Sequence, residues 1–136
     1  MNDMMKAHRV AEQDRLDFLP RYLTPRWMLR GESLVYAWLR RLSSDYQGGY
    51  WEFYELSNGG FYLAPALGQE TLRLSVEGND FNETVSADAA GIIATLFALN
   101  HLACETCSER IIGLYDALRD FALEHSESGS ILRAID

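Results

Sequence analysis

The sequence predicts an α+β fold in which an antiparallel meander of about four strands, within a single domain spanning residues 1–136, is covered by helices. Two aromatic-rich runs, Tyr50–Leu56 and Phe61–Ala64, flank the turn-forming residues 57–60, which is typical of a β-hairpin. Apolar and polar residues then alternate over Thr71–Glu77, as they do in a half-buried strand. Helical periodicity before and after these strands completes the α+β pattern.

The N-terminal part predicts a frayed end followed by a short helix. Residues 1–10 are polar and are expected to be frayed. Leu16 and Leu19 have helical spacing, and Pro20 either ends that helix or opens a further turn. Thr24-Pro25 predicts a second break, because a residue before proline avoids the helical region.

A longer helix is predicted over Glu32–Leu42, after Gly31. Arg40 and Arg41 lie near its end, where positive charge meets the negative end of the helix dipole. The sequence Gly48-Gly49 then separates it from the hairpin. Its apolar residues recur every four positions on one face, namely Leu34, Trp38 and Leu42, with Val35 and Leu39 beside them.

The hairpin has two largely apolar faces and is therefore expected to be covered on both sides. The alternative is an exposed aromatic platform for nucleic-acid bases, which normally has basic residues between the aromatics. The stretch from Gly48 to Pro65 contains no Lys or Arg and carries Glu52 and Glu55 instead. We therefore interpret its aromatic residues as core.

Two further strands follow the hairpin. Leu72, Leu74 and Val76 face one side of the strand over Thr71–Glu77. A turn at residues 78–80 leads to a weaker strand over Phe81–Val85. Short connections between successive strands favour an antiparallel meander.

Three helical segments are predicted at the C-terminal side. Ser86 is a helix cap, and Asp88 lies in the first turn, where a carboxylate meets the positive end of the dipole. The helix that follows is apolar on most sides and is expected to lie across the sheet. Thr106-Cys107-Ser108-Glu109 fits a capping box, which predicts the start of a helix that ends near His125. After a small-residue linker, Ile131–Asp136 is expected to dock one apolar turn.

The charge of the chain argues against non-specific nucleic-acid binding. The formal net charge is −8, from 12 basic and 20 acidic residues, whereas phosphate contacts are made mostly by Lys and Arg. The acids are scattered, unlike those of a protein that imitates DNA by charge. A local basic patch would weaken this exclusion, if one formed from Arg21, Arg26, Arg30, Arg40 and Arg41.

No membrane contact is predicted, because no apolar run approaches the roughly 20 residues that a membrane span needs. The polar N-terminus lacks the apolar core of a signal peptide, which indicates a cytoplasmic location.

Catalytic, metal and cofactor sites are not predicted. Cys104 and Cys107 form a C-x-x-C motif, but zinc needs a second ligand pair and a thioredoxin motif follows a strand, whereas this one lies between two helices. An enzyme that uses Cys104 or Cys107 as a thiolate nucleophile with His101 is the less favoured alternative. The sequence has no P-loop, dinucleotide-binding fingerprint or H-E-x-x-H motif.

Several strings, from about Leu16 to Asp136, together carry a family resemblance. The run WEFYELSNGGFY within residues 51–62 is specific, because a generic hairpin does not require that string. The combination resembles the antirestriction proteins of the ArdB/KlcA family. The strings are Phe18–Tyr22, Gly48–Tyr54, Leu56–Pro65, Ser86–Ile92, Leu118–Ala122 and Ala134–Asp136.

The resemblance implies a bacterial protein of plasmids and other mobile elements that protects incoming DNA from type I restriction–modification enzymes. It implies a compact α+β fold and offers no catalytic residues. The expected function is therefore non-enzymatic inhibition of the type I enzyme, through a direct or indirect contact. The alternative is a DNA-binding regulatory protein of plasmid maintenance. The predicted contact residues are exposed polar positions in the shared strings: Arg21, Ser57, Asn58, Asp88 and Asp136.

Overall fold

A computed structural model describes residues 5–68 and 70–136. The α+β class is confirmed, with antiparallel strands and helices around one hydrophobic core. In chain order the elements are β1 (Ala7–Arg9), a 3₁₀ turn (Glu12–Asp14), α1 (Arg15–Leu42), β2 (Trp51–Leu56), β3 (Phe61–Pro65), β4 (Thr71–Val76), β5 (Phe81–Ser86), α2 (Ala87–Thr106), α3 (Glu109–Leu123) and α4 (Ser128–Ile135).

The predicted hairpin is confirmed as β2 and β3, with Phe53 opposite Leu63. An additional strand, β1, pairs with the other edge of β2, so the expectation that residues 1–10 are frayed is wrong for Ala7–Arg9. The amide of Val10 donates to the Phe53 carbonyl at 2.7 Å, which fixes the end of this strand on β2. Residues 1–4 lie outside the described residues.

The two later strands are also confirmed, but they form a second sheet. β4 pairs with β5, while β1, β2 and β3 form the first sheet, so the meander is divided after β3. Pro65, the last residue of β3, has no amide hydrogen to donate to a further strand. The Glu70 amide donates to the Leu67 carbonyl, just before β4 begins at Thr71.

Helix α1 contains one break, at the predicted position. Thr24 has φ 69° and ψ 155°, and the chain is helical on both sides of it. Pro20 lies within the first segment and Pro25 opens the second, where its fixed φ suits a first helical turn. The second segment therefore begins before Glu32 and includes Gly31.

Helix α2 packs on β3 and contacts β4 and β5, as expected of a helix that lies across the strands. The Ser86 hydroxyl accepts a hydrogen bond from the Ala89 amide, which confirms the cap. The Thr95 hydroxyl bonds both the amide and the carbonyl of Leu63, at 3.2 and 3.3 Å, and so joins α2 to β3. Contrary to expectation, α2 is long and apolar enough to cross a membrane by length and composition alone. However, 67% of its most apolar stretch is buried within the protein, as in a core helix.

The capping box predicted at Thr106 is wrong. Helix α2 continues through Thr106, whose hydroxyl donates to the Leu102 carbonyl at 2.9 Å. Cys107 then adopts a left-handed conformation, and Ser108 caps α3 by accepting from the Ile111 amide. Helix α3 ends close to the predicted position.

The C-terminal segment docks as predicted, as the short helix α4. Ile131 and Ala134 are both 0% exposed, so this helix contributes directly to the core. It begins at Ser128, inside the segment predicted as a linker.

Candidate interaction surface

The five predicted contact residues are spread over the molecule, and the structure brings two of them to one helix. Asn58 donates to the Ala117 carbonyl of α3, and Asp136 lies 3.8 Å from the Arg119 guanidinium of the same helix. Arg21 lies on the first segment of α1, and its exposed side chain has no ion-pair partner among the described residues.

Ser57 and Asn58 hold the hairpin turn. The Ser57 hydroxyl accepts from the Lys6 amide at 2.9 Å. The Asn58 side chain accepts from the Gly60 amide at 3.0 Å and donates to the Ala117 carbonyl at 2.8 Å. Both side chains therefore stabilise the turn, and their role in partner contact remains a prediction.

Asp88 is the centre of a polar cluster at the start of α2. One carboxylate oxygen accepts from the Tyr62 hydroxyl at 2.7 Å, and the other contacts His125 Nε2 at 2.8 Å. Burial, followed by the nearby Asp88 charge, raises the pKa of the Tyr62 hydroxyl well above its ordinary value. The phenol therefore stays protonated and donates to the carboxylate.

His125 in this cluster has both ring nitrogens bonded. The Glu127 amide donates to Nδ1 at 3.0 Å, which assigns the proton of the neutral ring to Nε2, facing Asp88. A general base needs a nitrogen that can reach a substrate proton. Both nitrogens of the His125 ring are instead bonded within the protein.

Ser86 and Glu127 close the cluster. The Glu127 carboxylate accepts from both the Ser86 hydroxyl and the Ser86 amide. These bonds tie the start of α2 to the connection between α3 and α4. The local sequence predicted Asp88 and Ser86 at the helix start, but it carried no signal for their distant partners Tyr62, His125 and Glu127.

The structure does not pair either cysteine with His101. Cys104 and Cys107 are exposed free thiols. His101 Nε2 instead lies 4.0 Å from Glu105, which is held by Arg30 through two hydrogen bonds of 3.1 and 2.8 Å. Within residues 5–68 and 70–136, no group of three or more His, Cys, Asp or Glu residues is placed to hold a metal ion.

The arginines of the second segment of α1 are spread along the helix, and three of them contact other side chains. Arg26 and Arg41 alone are separated by about 22 Å along the helix axis, at 1.5 Å per residue. Each stacks over a neighbouring tryptophan ring, at 4.9 and 5.0 Å from the ring centre. Arg30 is bonded to Glu105.

A cleft along α1, which sequence reasoning missed, is a second candidate surface. Two depressions of about 430 and 280 Å³ both border on Arg15, Glu32 and Phe53, so they lie side by side, and together they are here called the α1 cleft. Its polar end is also lined by Tyr36, Arg40, Tyr46, Gly48, Gly49, Tyr50 and Trp51, and its apolar end by Leu16, Leu19, Pro20, Met28 and Leu29.

Arg15 crosses the floor of the α1 cleft. It donates to Glu52 at 3.0 Å, and its guanidinium carbon lies 4.7 Å from the ring centres of both Tyr50 and Phe53. Its Nε is buried and has no hydrogen-bond partner among the described residues. Helix α1 thus supplies the cation that the aromatic run itself lacks.

The prediction that the hairpin aromatics are core is confirmed for most of them, including Trp51, Phe53, Phe61 and Tyr62. It is wrong for Tyr50, which is 52% exposed. Tyr50 precedes β2 and lies on the wall of the cleft, so no second layer covers it.

Fold and site together define the class of this chain: an α+β protein with a bonded polar cluster at a helix start and an open cleft. A comparison with protein families matches residues 44–136 to the family described as Antirestriction protein.

Curated relatives match the sequence of this chain over almost its whole length. Two Escherichia coli proteins named antirestriction protein KlcA are 57% and 54% identical to it, over 96% of this chain and 94% and 92% of their own lengths. A solved structure of the KlcA and ArdB proteins is 52% identical, with a TM-score of 0.91, and the match covers 100% of this chain and 98% of that one. Those proteins are described as showing a novel fold and antirestriction activity against type I DNA restriction systems in vivo but not in vitro.

This chain belongs to the antirestriction protein family, and its resemblance to ArdB and KlcA is confirmed.

Proposed function

We propose that this chain is a non-enzymatic antirestriction protein that protects incoming DNA from type I restriction–modification enzymes in the bacterial cytoplasm. The observation that carries the proposal is its agreement with the KlcA and ArdB structure, at a TM-score of 0.91 over 100% of the chain. At 52% identity, that agreement extends well beyond a shared fold.

The bonding of the polar groups supports a mechanism without catalysis. In the strongest acid–base constellation, Asp88 with His125, both imidazole nitrogens are already bonded within the described residues. The Ser86 hydroxyl is already bonded to Glu127 and to the Ala89 amide. The exposed thiols of Cys104 and Cys107 have no basic partner among the described residues.

The partner proposed for this chain is the type I enzyme complex, contacted directly or through another component of the cell. The net charge of −8 disfavours protection by coating the DNA. The in vivo activity of KlcA and ArdB, absent in vitro, supports an action that depends on cellular conditions.

The test is the plating efficiency of unmodified phage on cells with an active type I system, with and without this chain. We expect the chain to restore plating, while phage already modified by the host plates equally in both. Absence of recovery against several type I systems would contradict the proposal.

A double variant tests the proposal that protection does not depend on a catalytic thiol. Cys104→Ser with Cys107→Ser removes both thiols, which lie on the exposed surface at the end of α2. We expect full protection by this variant. Loss of protection by a variant that remains folded would instead support a thiol-dependent activity.

A further inference from the structure

We infer that the α1 cleft is a docking groove for an extended segment of a partner protein, with an apolar side chain at one end and a carboxylate at the other. The inference deepens the proposed function, on which it rests, by naming the surface through which the chain would act.

The apolar end of the cleft exposes large side chains that a soluble protein normally buries. Leu16 is 90% exposed and Leu29 is 70% exposed, and both line a depression of about 280 Å³. Exposed apolar surface around a concavity marks interaction sites. An apolar side chain of a partner would cover both leucines.

The shape of this end depends on a strained residue. Thr24, which separates the two segments of α1, has φ 69° and ψ 155°, a region that β-branched residues rarely adopt. Such strain persists only where the surrounding structure enforces it, and it is concentrated at functional sites. The break places Leu16 and Leu29, from different segments, on the same depression.

The polar end offers hydrogen-bond donors that have no acceptor among the described residues. Arg40 is exposed and forms no ion pair. The amides of Gly48 and Gly49, both at positive φ, donate no hydrogen bond within the described chain. A carboxylate provides acceptors for such donors, and hydrogen bonds between charged groups are the stronger ones.

The acidic groups near the cleft fix the direction of the bound segment. Glu52 is already paired with Arg15 and Arg9. Glu32, near the middle, accepts from the Tyr36 hydroxyl at 2.8 Å and would repel a second carboxylate. The carboxylate of the partner therefore lies at the Arg40 end.

The spacing along α1 sets the length of the segment. Leu29 and Arg40 are eleven positions apart and share one face of the helix, which corresponds to about 16 Å of rise. An extended chain advances about 3.3 Å per residue. The apolar residue and the acidic residue of the partner are thus about five positions apart.

A protein segment fits this cleft better than a nucleic acid does. A phosphate backbone carries no apolar group for the surface formed by Leu16, Leu19 and Leu29. Glu32 and the net charge of −8 oppose a polyanion. A single carboxylate near Arg40 avoids both objections.

Paired variants test the cleft through protection of unmodified phage. Leu16→Glu and Arg40→Ala change its two ends, whereas Leu123→Glu and Arg41→Ala make the same changes at exposed positions outside it. We expect each cleft variant to lower protection about tenfold or more, as loss of a central contact does, with both controls close to the unaltered chain. Thermal unfolding establishes that all four fold. Full protection by folded Leu16→Glu and Arg40→Ala chains would overturn the inference.

Photocrosslinking identifies the molecule that binds in the α1 cleft. p-Benzoylphenylalanine in place of Gln47, an exposed neighbour of the Gly48 rim, probes the cleft, and the same group in place of Asp120 on α3 is the control. In cells with a type I system we expect a protease-sensitive adduct with another protein at position 47 only, lost in the Leu16→Glu background. A nuclease-sensitive adduct, a dimer of this chain, equal adducts at both positions, or no adduct would overturn the assignment.

The phage-plating assay distinguishes failure of the proposed function from failure of the cleft assignment. Failure of the proposed function appears as absence of protection by the unaltered chain. Failure of the cleft assignment appears as full protection by the cleft variants.

Discussion

Substitution of Gly91 by alanine tests the packing on which the whole fold depends. Gly91 is buried on the face of α2 that meets β3. A Cβ added there would lie 2.5 Å from the Ala64 Cβ, and closer still to the Ala64 Cα and the Leu63 carbonyl oxygen. Two of these atoms are backbone, so no side-chain rotation can relieve the clash.

The expected effect is a net loss of about 2–3 kcal/mol in the free energy of unfolding. Normal carbon contacts are about 3.5 Å, so α2 must move away from β3 by about 1 Å. Overpacking of this kind costs about 1–3 kcal/mol. The displacement also weakens the two hydrogen bonds between Thr95 and Leu63. A typical hydrogen bond contributes about 1 kcal/mol to the free energy of unfolding. The higher helix propensity of alanine returns about 1 kcal/mol.

Gly113→Ala is the matched control. Gly113 also lies within a helix, α3, but a Cβ there meets no atom within 4 Å. We expect this variant to be more stable by about 1 kcal/mol, from helix propensity alone. Urea unfolding at one pH compares the two, and the Gly91→Ala chain should also melt about 10 °C lower. A Gly91→Ala chain as stable as the unaltered protein would refute the close packing of α2 on β3.

Three further substitutions test separate features. Thr24→Gly should raise the free energy of unfolding by about 1 kcal/mol, because glycine relieves the strain at φ 69°, and a lower urea midpoint would contradict this. Asn58→Ala removes two hydrogen bonds of the hairpin turn and should cost about 1–2 kcal/mol in the same measurement, so an unchanged midpoint would argue against that role. Hydrogen bonds from Arg133 and Ser130 lower the pKa of Glu83 from 4.5 to about 2. The contribution of the ionised Glu83 side chain to the stability of the fold is therefore complete above about pH 5 and is lost as the pH falls through about 2. The stability difference between the unaltered chain and Glu83→Gln should shrink over that interval, and a constant difference would contradict the pairing.

Local signals explain which elements could be predicted from the sequence. The Asn58-Gly59 turn, the alternation over Thr71–Glu77 and the Ser86 cap each lie within a few residues of the structure they specify. Strand β1 has only three residues, too few for a periodic signal, and its pairing with β2 joins positions almost fifty residues apart. The misplaced capping box shows that a four-residue motif does not determine where the preceding helix ends.

The candidate site was less predictable, because it is assembled from distant parts of the chain. Asp88 was predicted at a helix start, yet its partner His125 is 37 positions away. In the α1 cleft, Arg15 meets the ring of Tyr50, 35 positions later, although the aromatic run contains no basic residue of its own. Only the path of α1 past the hairpin brings these groups together.

If this chain protects incoming DNA from cleavage, the DNA itself should remain intact in the cell. Long-amplicon quantitative PCR follows unmodified phage DNA after infection of cells that carry a type I system, with and without the chain. Full-length template is expected to persist in cells with the chain, as it does for modified phage. Loss of template at the same rate with and without the chain would contradict that expectation.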